Sequence, residues 1–260
     1  MQRKQNVFVF QIKLKQIIMK TKVLTLIMPF LFTVIAGFAG NMNNSQSDDK
    51  KEVRNVSNFS EISISVAGDV ELSQGNEYKV VLEGDEDMLE KIETEVKGEE
   101  LKIKYKSRIN FGWNTDKVKI YITTKKVEEI SVAGSATIKA QTKIKASEME
   151  FNVSGSGKIY VDNLEASTIE ANISGSGNIS IGGEETAKSL DVSISGSGDL
   201  NAENIKIKEG EIDISGSGRC KVHIKDSLEA DISGSGRVYY KGSPLINAQI
   251  SGSGKVRSMN

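Results

Sequence analysis

Along the second half of the chain, apolar and polar residues alternate in short blocks broken at a fixed phase by Ser-Gly-Ser-Gly. The three alternate positions ahead of the first serine read Met149, Phe151, Val153; Ile169, Ala171, Ile173; Leu190, Val192, Ile194; Leu228, Ala230, Ile232; and Ile246, Ala248, Ile250. Between them lie Glu150, Asn152, Glu170, Asn172, Asp191, Ser193, Glu229, Asp231, Asn247 and Gln249. Period-two alternation of this kind is that of a strand with one buried face. After the motif the alternation resumes at Ile159 and Val161, Ile179 and Ile181, Leu200 and Ala202, Cys220 and Val222, and Val238 and Tyr240. Each repeat is therefore predicted to be strand, glycine turn, strand, and then a second, more variable connection.

The motif begins at Ser154, Ser174, Ser195, Ser215, Ser233 and Ser251, with spacings of 20, 21, 20, 18 and 18 residues. Self-similarity near a fixed period marks a stack of units that bury their apolar faces only against neighbours. If each repeat is one coil, equivalent positions stack at about 4.8 Å, and every strand pairs in parallel with the strand one repeat away. An antiparallel sandwich has no need of the same turn at the same phase. A membrane barrel requires lipid-facing apolar residues where this chain carries Glu, Asp, Lys and Asn. The expected fold class is all-β, a parallel β-helix or β-solenoid of about 20 residues per coil.

The turn glycines are Gly155 and Gly157, Gly175 and Gly177, Gly196 and Gly198, Gly216 and Gly218, Gly234 and Gly236, and Gly252 and Gly254. Degenerate copies stand upstream at Ser131–Ile138, which keeps Gly134, and at Ser65–Val70, which keeps Gly68. The retained glycine reads as the residue the bend requires, and the serines as hydroxyl ladders that satisfy backbone groups at the bend. Further alternating strands are expected at Phe59–Val66, Val70–Leu72, Tyr78–Leu82, Leu101–Tyr105 and Val118–Ile122. Residues 85–98 are the only helical candidate. Met88, Leu89, Ile92 and Val96 recur at helical spacing, Ile92, Thr94 and Val96 also fit a strand, and a single turn at Asp87–Glu90 is the expectation. Ser107–Thr115 breaks the alternation and holds Phe111 and the only tryptophan, Trp113. It reads either as a contact surface or as a packing cap over one end of the stack.

Composition sharpens this picture. Of 24 glycines, 12 lie in the six full motifs, so the glycine is punctuation within strands and not a low-complexity tract. Residues 1–39 carry Arg3, Lys4, Lys13, Lys15, Lys20 and Lys22, no acid, and an uncharged run from Val23 to Ala39. A basic start, an apolar core and the small-residue ending Gly37-Phe38-Ala39 read as a secretory signal peptide, with an uncleaved anchor as the competing reading. Met19 is a natural initiator, so residues 1–18 are expected to lie upstream of the true start. Residues 40–52 then read as a linker and 53–260 as one solenoid domain, with irregular N-terminal coils at 53–130 and regular repeats at 131–260. The protein is expected to be exported across the inner membrane, to the periplasm, the cell surface or the medium, with no membrane span after cleavage. Removal of 1–39 takes the charge from 34 basic and 35 acidic residues to 28 and 35, a net of −7. That balance gives no reason to bind nucleic acid or an anionic membrane.

Candidate chemistry is sparse. Cys220 is the only cysteine, so no intramolecular disulfide forms, and it occupies a core position as a buried thiol. One histidine, His223, and one cysteine do not make a zinc site. The turns lack the Asp of calcium-binding β-rolls, and their Gly-x-Gly precedes no helix, so no metal, nucleotide or other cofactor is expected. The repeated serines have no histidine or lysine at a repeated phase to activate them, and the carboxylates read as scattered over several phases, so no catalytic residues are assigned. Arg237, Tyr239 and Lys241 near the C-terminal end form one candidate ligand contact, beside Phe111 and Trp113.

Phe59–Ile64, Val66-Ala67-Gly68, Val80–Asp87, Leu89, Ile92, Leu101–Tyr105, Ile120–Ile122 and Ile130–Gly134, followed by serial Gly-Ser-Gly turns, resemble the putative auto-transporter adhesin, head GIN domain family. The resemblance covers residues 55–255. It implies a right-handed β-helix-like solenoid of exported bacterial proteins, common in the Bacteroidetes, without the catalytic residues of pectin-lyase-type or acyltransferase solenoids. Many relatives carry a lipobox cysteine after the signal core, and this chain has none. The functional expectation is a non-enzymatic adhesin-like module for a glycan or protein ligand. The alternatives are a structural, envelope-spacer or stress-related component without a ligand, acting as a rigid spacer or assembling end to end, and, more weakly, a polysaccharide-acting enzyme.

Overall fold

A computed structural model describes residues 49–106 and 118–259. The alternating blocks become β8 (Glu129–Gly134), β11 (Glu148–Gly155) and β14 (Thr168–Gly175) on one sheet, and β9 (Thr137–Ala140) and β12 (Lys158–Val161) on a second. Both sheets continue through the long strands β15 (Asn178–Gly196), β16 (Asp199–Gly216) and β17 (Arg219–Gly234). The last coil is β18 (Arg237–Lys241) and β19 (Leu245–Gly252), and β20 (Lys255–Ser258) begins another. All these pairings are parallel, with Phe151 opposite Ala171, Ala171 opposite Val192 and Ser233 opposite Ser251. The fold is the β-solenoid that the period implies. Differences in repeat length are absorbed after the second strand, where the register shifts between Ser180 and Thr186 and between Ala202 and Lys206. A small additional pairing joins β10 (Ile144–Lys145) to β13 (Leu164–Glu165).

Chain order and stacking order part company upstream. β2 (Glu61–Ser65) and β3 (Gly68–Gln74) pair in parallel with β8 and β9, setting Ile62 opposite Ile130 and Val70 opposite Ile138. On their other side lie β6 (Glu100–Tyr105) and β7 (Val118–Thr124), again parallel. The region expected to be irregular therefore contains two regular coils, the later in sequence stacked outermost. Among the described residues the irregularity is confined to what covers that outermost coil: β5 (Ile92–Lys97) antiparallel on β6, β4 (Lys79–Gly84) antiparallel on β7, and β1 (Lys50–Arg54) antiparallel on β4. Antiparallel strands end a parallel stack because their outward edge no longer matches the phase of another coil. β1 begins at Lys50, three residues ahead of the boundary read from sequence. The helical turn is α1 (Glu86–Leu89), where the Asp85 carboxylate accepts from the Met88 N–H at 3.2 Å and Leu89 is buried. Ile92, Thr94 and Val96 lie in strand β5, not in a longer helix.

Inward positions form continuous columns. One runs Leu101, Ile62, Ile130, Phe151, Ala171, Val192, Ile212 and Ala230, and the large Phe151 is matched by the small Ala171 in the next coil. All eight are buried. Cys220 lies in another such column between Leu200 and Val238 and is fully buried, which pushes its thiol pKa far up.

The two glycines of each motif do different work. The first adopts positive φ, +119° at Gly175, a conformation that L side chains rarely take. The second keeps ordinary φ but lies against the coil below: a Cβ on Gly177 would fall 2.3 Å from Val153 Cγ1 and 2.9 Å from the Gly157 carbonyl oxygen. The register also corrects the alignment of the degenerate copies. Ile64 is opposite Val132 and Asp69 opposite Thr137, so Gly68 falls opposite Ala136, at the second-glycine station, while Gly134 occupies the first. Gly68 accordingly has no positive φ, and a Cβ there would meet the Val118 carbonyl oxygen at 2.3 Å.

Nor do the serine hydroxyls satisfy the turn. The Ser176 N–H donates to the Gly155 carbonyl at 2.8 Å and the Asn178 N–H to the Gly157 carbonyl at 3.0 Å, and the same pair of bonds recurs at each later motif. Backbone already closes the bend, and Ser154, Ser156, Ser174 and Ser176 are exposed to solvent.

At the C-terminal end, every residue of β19 is exposed, including Leu245 at 81% and Ile246 and Ile250 at 45% each. Among the described residues nothing lies over this edge.

Candidate functional site

With the inner positions filled, each coil offers its chemistry on the outward faces, where alternation and register turn one residue per coil into a ladder. On the first sheet one column reads Glu100, Glu61, Glu129, Glu150, Glu170, Asp191, Glu211 and Glu229, and ends at Asn247. These eight carboxylates share a single phase, which corrects the reading of the acids as scattered. A signal was present in the sequence: Glu150, Glu170, Asp191, Glu211 and Glu229 each stand four residues before the first serine of a motif.

Donors in the adjacent column hold the ladder together. Asn152 donates to Glu150 at 2.7 Å and to Glu129 at 3.1 Å, Asn172 to Glu170 at 2.9 Å and to the Asn152 side-chain oxygen at 3.1 Å, and the Ser131 hydroxyl to Glu129 at 2.6 Å. Toward the C-terminal end the adjacent column itself becomes acidic at Asp213 and Asp231. Burial and mutual repulsion both act on these carboxyls. The Asp191 carboxyl is pushed up by burial and then by Glu170 and Asp213, Glu211 chiefly by Asp191, and Glu61 by burial and then by Glu129 and Glu100. Among the described residues no three acidic, histidine or cysteine side chains are grouped to hold a metal ion.

The second sheet has the opposite character near its C-terminal end. One outward column runs Asn178, Asp199, Arg219, Arg237, Lys255, and the next runs Ser180, Asn201, Lys221, Tyr239, Arg257. Beside them His223 lies opposite Lys241. The structure thus gathers Arg237, Tyr239 and Lys241 onto one face and adds Arg219, Lys221, Lys255 and Arg257, which sequence reading missed because they come from different repeats. Arg219 pairs with Asp199 at 3.5 Å and Lys241 with Glu203 at 2.9 Å, the latter holding the Glu203 carboxyl below its ordinary range. Partial burial lowers the His223 pKa, and Lys206, Lys241 and Lys225 lower it further. Phe111 and Trp113 lie outside the described residues. No helix among the described residues is long and apolar enough to cross a membrane.

Comparison with known proteins places this architecture. A solved structure from Bacteroides fragilis named a putative adhesin superposes with a TM-score of 0.75 at 21% identity, covering 81% of this chain and 97% of its own. A putative adhesin from Parabacteroides distasonis gives 0.64 at 26% identity over 82% and 98% of the two chains. A structure from the same species named a putative lipid binding protein gives 0.65 at 23% identity over 83% and 98%. No curated protein matches the sequence. The sequence pattern of one family matches residues 58–244, from just before β2 to the connection between β18 and β19. The chain belongs to the putative auto-transporter adhesin, head GIN domain family.

Proposed function

We propose that the chain is an exported, non-enzymatic, adhesin-like module that presents a rigid solenoid face to a glycan or protein ligand. The observation that carries this reading is the register itself, which turns single polar residues into flat ladders of like groups several coils long. Such a surface suits an extended ligand with a repeating structure. The names borne by the family and its structural neighbours point the same way, and the basic, apolar and small-residue pattern of residues 1–39 supports export.

The carboxylate ladder does not favour hydrolysis. Acid and base roles require two carboxyls whose environments drive their pKa values apart, whereas the shifted members of this ladder, Glu61, Asp191 and Glu211, all move upward. Saturable binding of the purified monomer to a member of a glycan and matrix-protein panel is expected, with surface-protease sensitivity on intact cells. Failure to find any ligand would count against the module.

A second reading, a spacer that assembles end to end, has one observation in its favour. The exposed edge strand β19, Leu245–Gly252, carries no charge to deter pairing with another sheet. Light scattering across a concentration series separates the two, because the spacer requires growth in mass with concentration.

A further inference from the structure

The cationic face of the second sheet goes beyond what a generic binding surface needs. We propose that it is a binding site for a linear acidic polysaccharide, with Tyr239 as the platform for a sugar ring and Arg237, Lys255, Lys221 and Arg257 as the partners of its acid groups. This inference rests on the binding-module reading and names the ligand class.

Four observations converge on it. Arg237 follows Arg219 and precedes Lys255 in one column, and Tyr239 stands between Lys221 and Arg257 in the next, so the aromatic ring is flanked by cations from the coils on both sides. Among the described residues the acids that pair with this face, Asp199 and Glu203, are engaged by Arg219 and Lys241, and Lys221, Arg237, Lys255 and Arg257 form no ion pair, although Lys221 acts on Glu203 at longer range. At the margin His223, whose pKa is lowered first by burial, is lowered further by Lys206, Lys241 and Lys225, three more cations beside the patch. Finally, residues 40–260 carry 28 basic and 35 acidic residues, so the patch is a local concentration in an acidic domain and not a reflection of overall charge.

Edge protection accounts for Lys255 and Arg257, which belong to the last strand, but not for Lys221 and Arg237, which lie in the coils before it. Successive cations in a column recur at about 4.8 Å, and along a strand same-face neighbours stand about 7 Å apart. A regular polymer with one acid group per sugar or per disaccharide meets such a grid without bending. The acidic ladder of the first sheet repels the same polymer, confining it to this face.

The test is calorimetric titration of the full chain with polygalacturonate, with neutral dextran and poly-L-glutamate as comparators, in about 0.15 M and about 0.5 M salt. Binding to polygalacturonate that weakens with salt is expected, with no binding to dextran. The double change Lys221→Glu with Arg237→Glu is expected to lower affinity about tenfold or more. Lys158→Glu, four coils away in the Arg237 column, is expected to leave affinity unchanged. Circular dichroism checks that both variants fold. Equal weakening by Lys158→Glu, or an affinity for poly-L-glutamate equal to that for polygalacturonate, would overturn the assignment. Saturable binding of a neutral glycan or matrix protein without polygalacturonate binding overturns this inference and leaves the binding module standing. Absence of every ligand overturns both.

Discussion

Three single substitutions separate what the turn motif contributes as conformation, as space and as chemistry. Gly134 has φ of +115° with no atom within 4 Å of an added Cβ, so Gly134→Ala tests conformation alone. Holding a non-glycine residue in such a sparsely populated region costs about 1–3 kcal/mol, offset by about 0.4–1 kcal/mol because alanine restricts the unfolded chain. The expected net loss is about 1–2 kcal/mol. Gly175→Ala carries the same penalty at φ +119° and also drives Cβ to 2.6 Å from the Gly155 carbonyl oxygen and 3.2 Å from the Gly155 N and Cα. Those atoms are backbone, and the Gly155 oxygen already accepts from the Ser176 N–H at 2.8 Å, so relief requires the coils to separate and weaken that bond. Loss of the bond adds about 1 kcal/mol and overlap adds more, which brings the total to about 3 kcal/mol or above. Ser176→Ala removes an exposed hydroxyl that holds nothing, and a change within about 0.5 kcal/mol is expected. Urea unfolding followed by far-ultraviolet circular dichroism, compared through midpoints at constant slope, measures all three. Equal losses at Gly134 and Gly175 would refute the close-approach argument, and a loss above about 1 kcal/mol at Ser176 would restore a structural role to the hydroxyls.

Other expectations follow from the columns. Phe151→Ala empties the largest inward position between Ile130 and Ala171 and should lower stability by about 3–5 kcal/mol in the same urea assay, with a smaller loss when Ala171→Phe is added to refill the layer. Glu211→Gln should raise the melting temperature at neutral pH, because Asp191 and the neighbouring acids push the Glu211 pKa up and its charge opposes folding above that pKa; the advantage should vanish as pH falls below the ordinary carboxylate range, where the group is protonated in both states. A variant whose advantage grew toward acid would have the sign of that interaction wrong. Cys220, fully buried between Leu200 and Val238, should resist a water-soluble thiol reagent in the native protein and react only at the rate of unfolding, so prompt labelling would place it outside the core. Gln249→Lys puts a charge on the outward face of the exposed strand β19 and should suppress any concentration-dependent association without altering the monomer's melting temperature.

What could be read from the sequence was whatever repeats within one period. Alternation set the strands, and the spacing of the motifs set parallel pairing one coil away, because both follow from local geometry that every repeat shares. The stacking of β6 and β7 outside β2 and β3 could not be read in the same way. Leu101 and Ile62 alternate like any other inward residues, and which coil lies outermost is decided by the antiparallel covers β4 and β5, whose pairing is long-range. The two glycine roles were confounded for a related reason: Gly68 and Gly134 look alike as letters, and only the count of residues between paired positions separates the strained bend from the close approach.

The outward columns lie between these cases. Glu150, Glu170, Asp191 and Glu229 shared a phase that was open to view, yet they read as scattered because acids at other phases diluted them. The cationic face shows only part of itself within one repeat: Arg237, Tyr239 and Lys241 are three residues of a single strand, and their force comes from Arg219 and Lys221 one coil below and Lys255 and Arg257 one coil above. A solenoid keeps its scaffold in the positions that repeat, so recognition has to be written in those that change from coil to coil. On the proposed reading, this chain writes it in the change from Asn178 and Ser180 to Arg237 and Tyr239 along two otherwise equivalent columns.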